Sequence, residues 1–178
     1  MRETVILDKK FREMITSEAI SKRIEEMAAE INRDYKGKDV IFLGILNGAF
    51  LFAADLFKKI DLKARITFVK LASYQGTRST GSVKELIGWN EDIKGLEVIV
   101  LEDIVDTGHT LDLIIGELKV RKVAGVKIAT LLFKPDAYKK NFPVDYVGFR
   151  IPNDFVVGYG LDYDGYGRNL PSVYTLVK

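Results

Sequence analysis

Three carboxylates and a short run of hydroxyl-bearing and glycine residues stand together in Val98–Leu111, VIVLEDIVDTGHTL. Glu102 and Asp103 are adjacent, Ile104 and Val105 separate them from Asp106, and Thr107, Gly108, His109 and Thr110 follow directly. Gly108 lets the backbone turn sharply and come close to a ligand. The free N–H groups in the first turn of a following helix, with the positive end of its dipole, hold an anion such as phosphate. Glu102 and Asp103 cannot bind phosphate themselves. They suit sugar hydroxyls, or a divalent cation lying between them and a second phosphate group. Three acids at the mouth of one strand repel one another unless something positive arrives, and helix capping accounts for only one of them. The chemistry implied is an anion cradle beside an acidic shelf, as a phosphorylated sugar requires.

Such a loop needs a rigid frame. Val98–Leu101 is a run of mainly β-branched residues, which reads as a strand buried on both faces. A helix from near Thr110 to Val120 turns Leu111, Leu113, Ile114, Ile115 and Leu118 towards a sheet. Val40–Leu46 is an earlier apolar strand, and Asn47-Gly48-Ala49 turns it into a helix from Phe50 to about Lys59, a second possible anion site. Lys63–Leu71 reads as a strand feeding Ala72-Ser73-Tyr74-Gln75-Gly76 and a polar segment to about Gly81, which can bury little and is expected to move. Val83–Ile93 is expected to extend that arm as strands. Val126–Phe133 is a further strand, and Pro135 forces Lys134 at its end into an extended conformation.

The remaining segments frame these. Residues 1–15 read as a short strand around Val5, Ile6 and Leu7 plus a turn. Thr16 or Ser17 caps a helix to about Tyr35 whose Ile20, Ile24, Met27, Ala28 and Ile31 share one face, and Gly37 ends it. Tyr146–Ile151 is a short strand, and the aromatic, glycine-rich tail 152–170 is too irregular for a core helix; its Tyr159, Tyr163 and Tyr166 read as packing. Strands alternating with helices predict an α/β fold with a mainly parallel central sheet flanked by helices, whose ligands sit beyond the carboxyl ends of the strands. Asn47, Ser73, Asp106 and Lys134 all fall at such ends, which argues for one site.

Bulk properties narrow the class. A chain of 178 residues that is 47% hydrophobic can bury one sizeable core, and a single domain over 1–178 is expected. A net charge of +2 is too near neutral to make nucleic acid or an anionic membrane the main partner. With no cysteine, disulfides and thiolate metal sites are excluded. No signal peptide opens the chain and no apolar run is long enough to span a membrane, so a cytoplasmic location is expected.

The apolar strand, Glu102-Asp103, two aliphatics and Asp106-Thr107-Gly108-His109-Thr110 resemble the phosphoribosyl-pyrophosphate (PRPP) signature of type I phosphoribosyltransferases, and over nearly its whole length the chain resembles the hypoxanthine-guanine members. The resemblance implies the type I fold, with a core over about 16–150, a small hood from about 1–15 and 151–178, and a flexible lid over about 72–94. It implies that Glu102, Asp103, Ile104, Val105, Asp106, Thr107, Gly108, His109 and Thr110 bind PRPP, together with Leu46, Asn47, Gly48 and Arg168. The Leu46–Asn47 peptide would be cis. Family members often carry lysine where this chain has Asn47, so pyrophosphate would depend more on backbone N–H groups, Mg²⁺ and Arg168.

Further roles follow by resemblance. Ser73 and Tyr74 match the lid; Lys134 would donate to a purine 6-oxo group, Phe155 would stack on the base, and Val156 would meet its edge through backbone groups. Asp162, in the same base-binding tail, would hold Mg²⁺ directly or through water, with Glu102 and Asp103 the other metal-binding carboxylates. Asp106 would be the general base, and His109 a helix-start residue without a catalytic role. The implied partners are a purine base and PRPP, with a homodimer or homotetramer usual in the family. The alternatives on the same scaffold are a PRPP-binding regulator of RNA attenuation, and a xanthine- or pyrimidine-using transferase.

Overall fold

A computed structural model describes residues 2–72, 84–87 and 92–177. In chain order the elements are β1 (Glu3–Ile6), β2 (Lys9–Ile15), α1 (Ser17–Asp34), β3 (Asp39–Leu46), α2 (Phe50–Phe57), β4 (Lys63–Ala72), β5 (Lys84–Ile87) and β6 (Glu97–Val105). There follow α3 (His109–Val120), β7 (Gly125–Phe133), β8 (Tyr146–Arg150), β9 (Val156–Val157) and β10 (Val173–Leu176). Six strands form one sheet in the order β5-β4-β3-β6-β7-β8. All its pairs are parallel except β4 with β5.

Strand order follows from which way each crossover runs. From β3 the chain crosses through α2 to β4 on one side, and from β6 through α3 to β7 on the other. The reversal point therefore lies between β3 and β6, where an open parallel sheet leaves a crevice beyond its carboxyl ends. Alternation of side chains splits the core across the sheet. Val40 and Phe42 of β3 and Ile99 and Leu101 of β6 pack with α1 and α2. Ile41, Leu43, Val98 and Val100 pack on the other face with α3. The two central strands are buried on both faces, as their β-branched runs predict.

The strands end in register with the chemistry. β3 stops one residue before Asn47, β6 one before Asp106 and β7 one before Lys134. Ser73 and Tyr74 lie outside the described residues, as does most of the segment read as a lid.

A second, antiparallel sheet, β1-β2-β10-β9, joins the two chain ends. The reading of one N-terminal strand plus a turn is corrected here to a hairpin, with Leu7 at φ 54° in the turn. Ser172 ties this sheet to the core, its hydroxyl accepting the N–H of Ser17 at the start of α1 (3.1 Å). At the same helix end the Thr16 hydroxyl accepts the Ala19 N–H, the expected cap. Among the described residues no helix is long and apolar enough to cross a membrane.

Candidate active site

β6 runs further than its apolar stretch. Glu102 and Asp103 are inside the strand, not beyond it, because pairing with β7 continues through Glu102↔Thr130, Ile104↔Leu132 and Val105↔Phe133. That pairing fixes both carboxyl groups at the crevice. Glu102 is 6% exposed. Burial first, and then the neighbouring Asp103 carboxylate, hold it well above the usual carboxylate range. Burial also pushes Asp103 up to about 6, against the pull of the Ile104 N–H (2.9 Å) and of Arg168. Neither acid forms an ion pair among the described residues. Two such acids fit a divalent cation or sugar hydroxyls, either of which would relieve the mutual repulsion.

The anion cradle follows at once. Gly108 takes φ 82° and leads into α3, which starts at His109, one residue earlier than Thr110. A Cβ at Gly108 would meet the Tyr138 ring and the Lys140 stem, so both the φ and the close approach require glycine. The cavity between the ends of β3 and β6 is about 430 Å³ and is lined from Ile45, Leu46 and Gly48 across Glu102–Leu111 to Leu113. Leu113 thus faces the cavity, where the helical pattern turns it towards the sheet. His109 and Thr110 are exposed at the helix start.

The Leu46–Asn47 peptide is cis. Gly48 lies so close to β6 that a Cβ there would collide with the Asp103 carboxylate. On its other side the Gly48 carbonyl faces Gly160, where a Cβ would collide with it. The turn after β3 is therefore held between the acidic strand end and the C-terminal segment.

That segment carries Arg168. Its Nη1 donates to the Gly160 carbonyl (2.6 Å) and its Nη2 pairs with Asp162 Oδ1 (2.6 Å). The other Asp162 oxygen accepts the Gly165 N–H (2.7 Å). Asp162 does not stand with Glu102 and Asp103, and among the described residues no group of three or more His, Cys, Asp or Glu comes together to hold a metal ion. The two-carboxylate shelf fits magnesium, which takes few protein carboxylates alongside substrate phosphates. At Asp162, by contrast, Arg168 already supplies a positive charge.

Lys134, 7% exposed, reaches Asp106 with Nζ 3.2 Å from Oδ2. The Asp106 side chain is half-exposed, so the pair opens on one side to solvent. Phe155 is 46% exposed, with one edge held by Phe11 and Tyr163 at centroid distances of 6.3 and 6.0 Å. β9 is an edge strand. The Phe155 carbonyl accepts the Leu176 N–H from β10, and alternation along a strand then turns the N–H and carbonyl of Val156 to the unpaired edge.

Several contacts here escape sequence reasoning. Tyr138 and Lys140 brace Gly108 from outside the Asp106–Thr110 loop, with the Lys139 N–H on the Thr107 carbonyl (3.3 Å). Tyr163 supports Phe155 and donates to Asp8 (2.8 Å), while Tyr159 donates to Asp55 on α2 (2.5 Å). Tyr166 is exposed, which corrects its reading as packing. No spacing signal marks any of these pairs.

The Phosphoribosyl transferase domain family matches residues 12–164 of this chain. A hypoxanthine-guanine phosphoribosyltransferase of Staphylococcus aureus is 43% identical over 92% of this chain and 92% of its own length. The crystal structure of a hypoxanthine phosphoribosyltransferase from S. aureus superposes with a TM-score of 0.88, at 42% identity over 93% of this chain and 91% of that one. A bifunctional protein TilS/HprT of Listeria monocytogenes is 40% identical over 92% of this chain, which spans a quarter (25%) of that protein's length.

Proposed function

The chain belongs to the phosphoribosyltransferase family, and from that membership we propose that it is a hypoxanthine-guanine phosphoribosyltransferase of purine salvage. It transfers the 5-phosphoribosyl group of PRPP to hypoxanthine or guanine, giving IMP or GMP and pyrophosphate. The observation that carries this reading is the Lys134–Asp106 pair, because it sets a donor suited to a purine oxygen beside the sugar-phosphate loop.

In the reaction a purine ring nitrogen forms a bond to the sugar's anomeric carbon as the bond to pyrophosphate breaks, and the bonding electrons leave with pyrophosphate. Transfer of this kind passes through an oxocarbenium-like state, so the protein's work is positioning and stabilising separated charge. The loop Asp106–Thr110 holds the 5-phosphate through backbone N–H groups. Glu102 and Asp103 take the ribose hydroxyls and set a negative field beside the developing cation. Asp106 accepts the proton of the purine imidazole ring as the new bond forms. Leu46, Asn47 and Gly48 offer backbone groups to pyrophosphate, and Arg168 supplies the cationic side chain there. Glu102 and Asp103 would hold magnesium, which would neutralise charge on the leaving pyrophosphate, whereas Asp162 stands apart from them and is paired with Arg168.

The base is held by three groups. Phe155 offers its exposed face for stacking, and Val156 its outward backbone groups. An ammonium has only donors, so Lys134 suits a 6-oxo group and rejects the 6-amino group of adenine. Mixing the protein with Mg²⁺, PRPP and hypoxanthine, guanine, xanthine, adenine or uracil in turn, and following ultraviolet absorbance, tests the assignment. Nucleotide from hypoxanthine or guanine is expected. Nucleotide from uracil or xanthine alone, or from none, would overturn it.

A further inference from the structure

We propose that Tyr159 and Asp55 are a positioning pair that fixes Arg168 against the Leu46–Asn47–Gly48 turn, so that the pyrophosphate side of the site depends on a hydroxyl outside the cavity. The inference rests on the phosphoribosyl-transfer reading above.

Tyr159 is buried at 7% exposure and takes φ 48°, a conformation uncommon for an aromatic residue. Its hydroxyl donates to Asp55 Oδ2 on α2 (2.5 Å), and Lys58 engages the other Asp55 oxygen (2.7 Å). Packing alone would be served by phenylalanine. The phenol adds a directional bond to a charged acceptor, which is among the stronger hydrogen bonds a side chain makes.

Around Tyr159 the backbone is closely tied to Arg168. The Tyr159 N–H donates to the Leu170 carbonyl (2.8 Å) and the Gly160 N–H to the Arg168 carbonyl (2.9 Å). The guanidinium returns to the Gly160 carbonyl, so Arg168 is held by the residue next to Tyr159 as well as by Asp162. Gly160 also lies against the Gly48 carbonyl.

Asp55 belongs to the helix that grows directly out of that turn, since the Phe50 N–H donates to the Asn47 carbonyl (3.3 Å) and α2 starts at Phe50. The C-terminal segment thus meets the turn-and-helix unit at two places, Gly160 on Gly48 and Tyr159 on Asp55. One contact alone would act as a hinge; two set an orientation. The orientation matters because Asn47 brings no charge, which leaves Arg168 as the cation proposed for pyrophosphate.

The test compares Tyr159→Phe, Asp55→Ala and Asp55→Asn in the full chain. Tyr159→Phe is expected to raise KM for PRPP and the inhibition constant of pyrophosphate about tenfold, the loss of one charge-assisted bond. KM for hypoxanthine, and kcat at saturating PRPP, are expected to stay within twofold. Asp55→Ala should reproduce that pattern, and Asp55→Asn, which keeps an acceptor oxygen, should recover most of it. A merely structural role would instead lower the active fraction or raise both KM values together. Wild-type pyrophosphate and PRPP affinities in Tyr159→Phe would overturn the pair; should that variant fail to fold, equal affinities in Asp55→Ala and Asp55→Asn would do so. If the parent protein makes no IMP, the functional reading fails by itself. Calorimetric titration of Mg²⁺-pyrophosphate into the same variants still decides the positioning role.

Discussion

Lys134 Nζ stands 3.2 Å from Asp106 Oδ2, joining the end of β7 to the Asp106–Thr110 loop after β6. The group proposed to read the purine oxygen and the group proposed to take the purine proton are therefore each other's counter-ions. On that proposal a 6-oxopurine that draws the ammonium towards its oxygen would leave Asp106 more basic at the moment a proton must be accepted, so that recognition and activation of the base would be one event. Asp106→Asn keeps the size and one acceptor but cannot take a proton. It is expected to lower kcat by roughly 10²–10⁴-fold while PRPP binding, read by calorimetry, is largely retained. Unchanged turnover would remove Asp106 as the general base.

The same ammonium is proposed to set the choice of base. A buried donor left facing another donor discriminates by about 10⁴ or more in kcat/KM, and that is the preference expected for hypoxanthine over adenine. Lys134→Gln offers an amide that can present either a donor or an acceptor. The variant is expected to lose most hypoxanthine activity and to narrow the ratio, read from initial rates with each base. A ratio that stays put would place the discrimination elsewhere.

What was legible in the chain was local. Asn47, Asp106 and Lys134 fall one residue past β-branched strands, and glycine or proline within two residues of each marks the turn, so the shared edge of the sheet could be read without coordinates. The extension of β6 through Glu102 and Asp103 could not. Acidic residues have little preference for strands, and it is pairing with Thr130 and Leu132 on β7 that overrides it. The N-terminal hairpin turns at Leu7 without the Asn-Gly or Asp-Gly pair that usually signals one. Tyr159 and Asp55 are 104 residues apart, and nothing in the spacing of either points to the other.

Asp103 gives stability a signed pH dependence. Its carboxyl is raised by burial to about 6, against an unfolded value of about 3.9. The folded state thus binds this proton more tightly than the unfolded state does, and the stability that the proton contributes is present below about pH 4 and lost by about pH 6. Asparagine mimics the protonated form at every pH. In melts without Mg²⁺ or PRPP, Asp103→Asn is expected to be more stable than the parent near neutral pH by roughly 2–3 kcal/mol, with the gain fading as pH falls through that window. A variant less stable near neutrality, or a gain independent of pH, would contradict the buried charge.

The contact between Gly160 and Gly48 can be separated from simple backbone strain. Gly160 has φ 101° and a Cβ there would collide with the Gly48 carbonyl, whereas Gly165 has φ 86° and a Cβ there would meet nothing within 4 Å. Alanine at either position costs about 1–2 kcal/mol for the left-handed backbone. Gly165→Ala is expected to show that cost alone, as a melting temperature lower by a few degrees with KM for PRPP unchanged. Gly160→Ala adds the collision. Relief by moving the Gly48 turn would push it towards the Asp103 carboxylate on its other side, and relief by moving Gly160 would carry off the carbonyl that holds Arg168. Either way the side proposed for pyrophosphate is disturbed, and KM for PRPP should rise at least about tenfold, equivalent to 1.4 kcal/mol. Equal effects of the two alanines on KM would mean that the Gly160–Gly48 contact has no part in binding.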